Sequence, residues 1–456
     1  MSRHQYYFDH AATTPLDPAV LKTMMPYLMK KYGNPSNLYA LGRKANHAIA
    51  EATEIITNLL DCRSDEFVFT GSATEADNLA ILGVARANKY RGNRIIVSQI
   101  EHKGILSVCE VLKKEGFDIV ELPIGKDGLV SLPELKKALN DKTILVSITY
   151  ADSETGTIQP IREIADMIAP PLPANDNLMA SAVSRSREQS SEERSERGRA
   201  VPDRSDTGIA KKYPLFHTDA SQAAAYLKIN VGKLGVDLMT LSAHKLGGPK
   251  GIGGLYIRRG TKIDPIIHGG GQQGRLRSGT ENVPGIVGFA EAMRLNNKYK
   301  KIHSKKIQKT RDALEKGIFK SIPKVVLNGH PIKRLPNYLN ISILDIEGEA
   351  MLLHLDELGI MVNTGSACNS QSLEPSYVLT ALGNPYEYIH GSIRFTLGKE
   401  NTMSDVKYVL KHLPEVVKKL RAISPLELKL GQKSSMSNPK AFIGGQTPHF
   451  LRKKVN

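Results

Sequence analysis

A chain of 456 residues is long enough to bury a large core and a smaller second one. No apolar run approaches the roughly 18 residues a membrane span needs, and the start Met1-Ser2-Arg3-His4 has no apolar leader, so the expectation is a cytoplasmic protein without a membrane segment. Three cysteines, Cys62, Cys109 and Cys368, are too few and too scattered for a disulfide framework, and none belongs to a Cys-x-x-Cys metal pair. The net charge of +16 invites a nucleic-acid reading. Much of it, however, lies between Arg294 and Lys320 at helical spacing, and more lies in the tail at Lys433, Lys440, Arg452, Lys453 and Lys454. No recognition motif or aromatic interleaving accompanies it, so the first run reads as the solvated face of a long helix and an acidic protein partner fits better than nucleic acid.

The chain opens with a short apolar strand at 5–9 that breaks into the small-residue turn Ala11-Ala12-Thr13-Thr14-Pro15. Apolar residues at three- and four-residue spacing predict helices over 18–32 and 45–60, with Cys62 packed just beyond the second. Residues 66–70 read as a strand, and Gly71-Ser72-Ala73-Thr74 turns from it into a helix. Small hydroxyl residues at such a turn offer backbone N–H groups and a helix dipole to an anion, although Ser72 or Thr74 also serves as an ordinary cap.

Strands over 94–99 and 143–150 end in Glu101-His102-Lys103 and in Asp152-Ser153-Glu154-Thr155-Gly156, on the edge where open α/β sheets keep their ligands. After a helix over 161–168 the composition changes. Residues 170–210 are poor in apolar side chains and rich in Ser, Arg and Glu, too polar to offset the entropy of ordering them, so they read as an insertion without part in the chemistry.

A strand near 213–219 ends in Asp219, with Gln222 three residues on. Apolar residues from Val236 to Leu241 form the next strand, followed by Ser242-Ala243-His244-Lys245 and the glycine turn 247–254. Because the lysine precedes its glycines, a P-loop is excluded. A lysine held on a rigid element beside glycines suits Schiff-base chemistry. His268 to Thr280 is a glycine-rich basic loop. Beyond about residue 300 a second α/β unit is expected, with strands over 340–344 and 392–397 and helices over 349–358 and 403–420.

Strands alternating with helices through 65–260 predict a mostly parallel sheet covered on both faces. The strand ends then bring Thr74, His102, Asp219, Gln222 and Lys245 to one rim. That set suits pyridoxal phosphate: an amine for the aldehyde, a carboxylate to keep the ring nitrogen protonated, an imidazole to stack on the ring, and a helix terminus for the phosphate.

The blocks Phe8 to Pro15, Gly71 to Asn78, Glu101 to Lys103, His217 to Gln222, Ser242 to Lys245, Arg277 to Thr280, Gly365 to Cys368 and Ser392 to Phe395 occur in an order that resembles the NifS/IscS group of cysteine desulfurases, in the class V, fold-type I family. The likeness covers residues 5 to about 426 apart from the insertion. It implies a seven-stranded, mostly parallel large domain at 16–300, a small domain from 1–15 and 301–426, and a basic tail at 427–456. By this resemblance Lys245 holds the cofactor covalently, His102 stacks on its ring, Asp219 pairs with its nitrogen and Gln222 bonds its phenolic oxygen. Ala73, Thr74, Ser242, Ala243 and His244 hold the phosphate, and Thr280 reaches the phosphate of the other subunit of a homodimer.

The resemblance makes Cys368 the thiol that strips sulfur from L-cysteine, leaving alanine, and Arg394 the clamp for the substrate carboxylate. Its small, polar neighbours suit an exposed, reactive cysteine, and the long stretch after it is more IscS-like than SufS-like. The sulfur then passes to an iron-sulfur scaffold or a tRNA-thiolation acceptor, with Cys368 as a transient iron-sulfur ligand shared with the scaffold. Selenocysteine lyase or another class V enzyme, neither needing Cys368, is the alternative, and a degenerate docking platform the third. One departure stands out. Where the family shows Asn-Asn-Glu-Thr-Gly, this chain has Ser153 in place of the asparagine that reaches the cofactor, a loss on the scale of one hydrogen bond, about 1 to 2 kcal/mol.

Overall fold

The computed structural model describes residues 5–168, 214–364, 375–424 and 430. The insertion expected at 170–210, the tail from 427 onward (Leu430 apart) and Cys368 lie outside the described residues.

The strands in chain order are β1 (Tyr6–Tyr7), β2 (Phe67–Thr70), β3 (Arg94–Ser98), β4 (Asp118–Leu122), β5 (Thr143–Ser147), β6 (Leu215–Asp219), β7 (Leu238–Ser242), β8 (Gly253–Ile257), β9 (Val325–Leu327), β10 (Tyr338–Ile343), β11 (Ile360–Met361) and β12 (Ser392–Thr396). Seven of them form one sheet in the order β2-β8-β7-β6-β5-β3-β4. From β7 to β4 all neighbours are parallel, while β8 runs antiparallel to both β7 and β2. Two reversals restore direction, so β2 also points the same way as β7. The carboxyl ends of β2, β3, β5, β6 and β7 therefore share one edge. Strands such as Thr143–Ser147 are buried along their whole length, as a sheet covered on both faces requires.

The helices follow their apolar spacing, with informative differences at the ends. The first, Pro18–Met29, is capped by Asp17, whose Oδ1 accepts from Ala19 N at 2.9 Å, and stops three residues short of the expected Tyr32. There the N–H groups of Lys30 and Lys31 both close on Pro26 O. The second, Ala40–Leu60, buries Ala45, Ala48, Ala52, Ile56 and Leu60 along one stripe. Full burial of a side chain such as Ile56 contributes about 1.5–3 kcal/mol. It begins a turn before the expected Ala45, and in that added turn Gly42 lies so close to Asn37 O that a Cβ would come within 2.3 Å of it. Apolar periodicity cannot reveal that kind of backbone contact. β5 ends before the expected Tyr150, yet Ile148 N and Tyr150 N still donate to His217 O and Asp219 O.

The cationic run belongs to a helix of 39 residues, Val283–Ser321. Its first part buries Val283, Ile286, Phe289 and Met293, and its last part Ile307, Leu314 and Ile318. Phe289 packs in the core around the seven-stranded sheet, and Leu314 in a second core with Phe8, Leu339, Ile341 and Phe395. Arg294, Lys298, Lys301, Lys305 and Lys309 are exposed between and beside these contacts, the solvated face expected. The second core lies on the antiparallel sheet β12-β10-β9, and β1 joins it by pairing with β11. Between β3 and β5 lie three elements beyond those expected, helix Lys103–Lys114, strand β4 as a half-buried sheet edge, and helix Leu132–Ala138. Among the described residues no helix is long and apolar enough to cross a membrane, and no group of histidine, cysteine or acidic side chains is placed to hold a metal.

Candidate active site

Each expected residue other than Cys368 can be placed. Lys245 ends a single 3-10 turn directly after β7, with Nζ donating to Ala12 O at 2.7 Å and also to Ala11 O. Gln222, just past β6, donates from Nε2 to the same Ala11 O at 3.0 Å. The turn after β1 is thus the surface on which amine and amide converge. Asp219 closes β6, buried, with Oδ1 accepting from Ser221 N at 2.8 Å. His102 caps helix Lys103–Lys114 after β3, its Nδ1 accepting from Gly104 N at 3.1 Å. A Cβ on Gly104 would lie 3.1 Å from His102 Nδ1 and 3.3 Å from Thr74 Cγ2, so His102 and Thr74 flank that glycine.

The phosphate cradle expected at helix Ala73–Asn88 has the right chemistry. Ser72 Oγ accepts from Glu75 N at 3.1 Å, and Ala73 and Thr74 occupy the open first turn. Gly253 of β8 permits this closeness, since a Cβ there would meet Ser72 C at 2.6 Å and Ala73 N at 2.8 Å. Ser242, at the end of β7, is buried and its Oγ has no hydrogen-bond partner. A buried hydroxyl without a partner costs about 1–3 kcal/mol, which an anion accepting from it would recover. Ala243 is fully buried, and His244 Nδ1 lies 3.1 Å from Thr13 Oγ1. Burial, helped by Lys245 and Lys250, lowers the His244 pKa to about 4, so the ring is neutral near pH 7. The residues present fit pyridoxal phosphate.

Thr280 is exposed and makes no hydrogen bond among the described residues. Its loop is tied to the phosphate helix by Arg277, whose Nε lies 2.9 Å from Glu75 Oε1. Ser153 is half-buried, and its carbonyl accepts from Arg394 Nη1 at 2.8 Å. Arg394, buried on β12, also donates from Nη2 to Asp9 Oδ1 at 2.7 Å, while its Nε has no partner. A cavity of about 400 Å³ opens behind Lys245, lined by His10, Tyr226, Lys300, His303 and Lys399. Lys245 itself lines it, whereas none of Thr74, His102, Asp219 or Gln222 does.

Several buried groups carry no simple sequence signal. His217, two residues before Asp219, lies between Ser147 Oγ at 2.8 Å and Thr240 Oγ1 at 3.1 Å, and burial lowers its pKa to about 3. Asp77 approaches the same ring, with Oδ1 3.7 Å from Nε2, and both of its oxygens lack hydrogen bonds. Burial, then the charge of Asp219, pushes its pKa well up. Glu101 accepts from Ser98 Oγ and Thr149 N, and Glu154 accepts from Ser376 Oγ. Burial raises both glutamates to about 8.

A glutamate raised from 4.5 in the unfolded chain to about 8 in the folded one binds its proton more tightly when folded. Stability then falls as pH rises from about 4.5 to about 8 and levels off above. Glu154→Gln removes that slope while keeping an acceptor for Ser376. The expected result is a melting temperature that gains about 2 °C or more on the wild type between pH 5 and pH 8. Parallel curves for the two proteins would show that Glu154 is ionised in the fold.

The class-V aminotransferase family model matches residues 6–170 and 201–409. The cysteine desulfurase IscS of Methanosarcina thermophila is 45% identical over 421 residues, 92% of this chain and 94% of that protein. That of Dictyoglomus turgidum is 43% identical over 435 residues, 95% of this chain and 100% of the relative. Among solved structures, a NifS-like protein aligns with a TM-score of 0.77 at 34% identity, covering 91% of this chain and 100% of its own. With the fold-type I sheet, the lysine at its β7 edge and these matches along most of its length, the chain belongs to the class-V aminotransferase family, in its NifS/IscS cysteine desulfurase group.

Proposed function

We propose that this chain is a pyridoxal-phosphate-dependent cysteine desulfurase, working as a homodimer, that converts L-cysteine to L-alanine and passes the sulfur on as a persulfide of Cys368. The observation that carries the reading is the gathering of Lys245, Asp219, Gln222, His102 and the Ala73–Thr74 helix start on one sheet edge, above a buried, unpartnered Ser242 hydroxyl. The relatives' printed names support it. Bound there, pyridoxal phosphate supplies an electron sink for the bonds at Cα and Cβ.

The chain's own residues do the rest. Arg394 holds the substrate carboxylate, and Lys245 takes the Cα proton. Asp219 would keep a proton on the ring nitrogen of the bound cofactor, and the imidazole of His102 would stack on the ring and return a proton. The Cys368 thiolate accepts the substrate sulfur as the Cβ–S bond breaks and an S–S bond forms. Protons return to Cα and Cβ, so alanine leaves without an external oxidant.

The homodimer is supported by two surface features. Thr280 is exposed and makes no hydrogen bond among the described residues, free to reach a partner's phosphate. Leu28, Met29, Tyr32, Leu38 and Tyr39 form an exposed apolar run near the first two helices, of the kind a second copy covers. Cys62 and Cys109 are free thiols, in accord with the reducing cytoplasm. The sulfur acceptor is an iron-sulfur scaffold or a tRNA-thiolation protein, with Cys368 able to share a nascent cluster. The test is chemical: the purified protein with L-cysteine and a thiol reductant should yield L-alanine and sulfide in equal amounts. Pyruvate and ammonia in place of alanine, or no product, would sink the reading.

A further inference from the structure

Arg394 is not an open clamp. Its guanidinium is buried, and two of its N–H groups are engaged, Nη1 with Ser153 O at 2.8 Å and Nη2 with Asp9 Oδ1 at 2.7 Å. The other oxygen of Asp9 accepts from Asn363 Nδ2 at 3.1 Å. Asn363 is in turn fixed to Arg394 by the backbone, with Arg394 N donating to Asn363 O at 2.6 Å and Asn363 N to Arg394 O at 3.2 Å. Asp9 itself is held by a parallel bridge to Thr396 of β12. Three chain segments therefore lock a carboxylate against the guanidinium, and Arg394 Nε is left buried without a partner.

We propose that Asp9 is a positioning residue that acts through Arg394: a built-in counter-ion that holds the guanidinium in place and limits how tightly it binds an incoming amino-acid carboxylate, so that alanine can leave. The proposal rests on Arg394 being the substrate-carboxylate site. The physical basis is electrostatic. A buried guanidinium already paired with one carboxylate presents little net charge, and a second carboxylate arriving beside it meets the repulsion of the first, largely unscreened in a site away from bulk water. What it gains is hydrogen bonding to the remaining N–H groups, which selects a planar carboxylate without trapping it. Asn363 fixes the second Asp9 oxygen, so the counter-ion cannot swing aside.

The experiment uses the holoenzyme and two ligands that differ in the carboxylate: L-alanine, the product, and cysteamine, which keeps the amine and thiol. Asp9→Asn preserves the shape and removes the charge. Inhibition by L-alanine should become stronger by on the order of tenfold, and KM for L-cysteine should fall, with kcat reduced because product leaves slowly. Cysteamine should bind as it does to the wild type. Asp9→Glu, which keeps the charge, should stay near wild type for alanine, and Asn363→Ala, which frees the second Asp9 oxygen, should tighten alanine by less than Asp9→Asn does. A purely structural role for Asp9 predicts the opposite sign, weaker binding of both ligands in Asp9→Asn, and that result overturns the proposal. Unchanged alanine inhibition overturns it too. If the wild type itself releases no alanine from cysteine, the activity reading falls and this proposal with it.

Discussion

Lys245→Ala is expected to purify without the visible absorption band of bound pyridoxal phosphate and to release L-alanine at least about 10⁴-fold more slowly than the wild type. The size follows from the double role proposed for the amine, which would hold the cofactor and move the Cα proton. The position makes the role possible. β7 is buried along its length, and the 3-10 turn that follows it fixes Lys245 on a rigid strand end, half-buried against the Ala11–Ala12 carbonyls. Alanine there should leave the fold intact, since the strand and its neighbours carry the packing, and a melting temperature close to wild type is the control. A variant that keeps the band and more than about one hundredth of the activity would mean that another amine carries the chemistry.

Cys368→Ser is expected to abolish persulfide formation and alanine release in the presence of a thiol acceptor, while Cys62→Ala and Cys109→Ala retain both. The contrast comes from thiolate supply. Cys109 is buried in the core between helix Lys103–Lys114 and the sheet, and burial, with Glu101 and Glu121 nearby, raises its pKa to about 12. Cys62 packs half-buried beside the other face, and burial, with Glu66, Asp61 and Asp65, also raises it to about 12. At pH 8 such thiols are ionised to only about one part in 10⁴, too little to act as nucleophiles at a useful rate. Mass spectrometry of the protein after brief exposure to L-cysteine distinguishes the three sites. A persulfide on Cys62 or Cys109 that forms at the rate of alanine release would refute the assignment.

Lys245, His102, Asp219 and Gln222 were legible because each follows a strand that announces itself by a short apolar run and ends in turn chemistry. In a parallel sheet, residues that close successive strands must meet on one edge, so local pattern alone predicted their convergence. The open helix start at Ala73–Thr74 was legible for a similar reason, marked by its small residues. Asp9 was not. It sits inside a recognised block, but its partner Arg394 lies 385 residues further on, and nothing in the local spacing says that β12 runs beside the first turn. Glu101 and Glu154 belong to strand-end motifs visible in the sequence, yet their raised pKa values come from burial, which depends on what covers them.

The sequence by itself determined the mostly parallel sheet, the edge on which the proposed site residues gather, and a helix that would wear the positive charge on its solvent side. Those features follow from short-range rules: apolar period, turn residues and the common direction of strands joined by crossovers. The tertiary structure alone decided that one 39-residue helix serves two cores, that Ser242 keeps a buried hydroxyl without a partner, and that Arg394 carries its own carboxylate. Each of these is set by desolvation and by contacts between distant segments. Both come into being only when the chain has closed on itself.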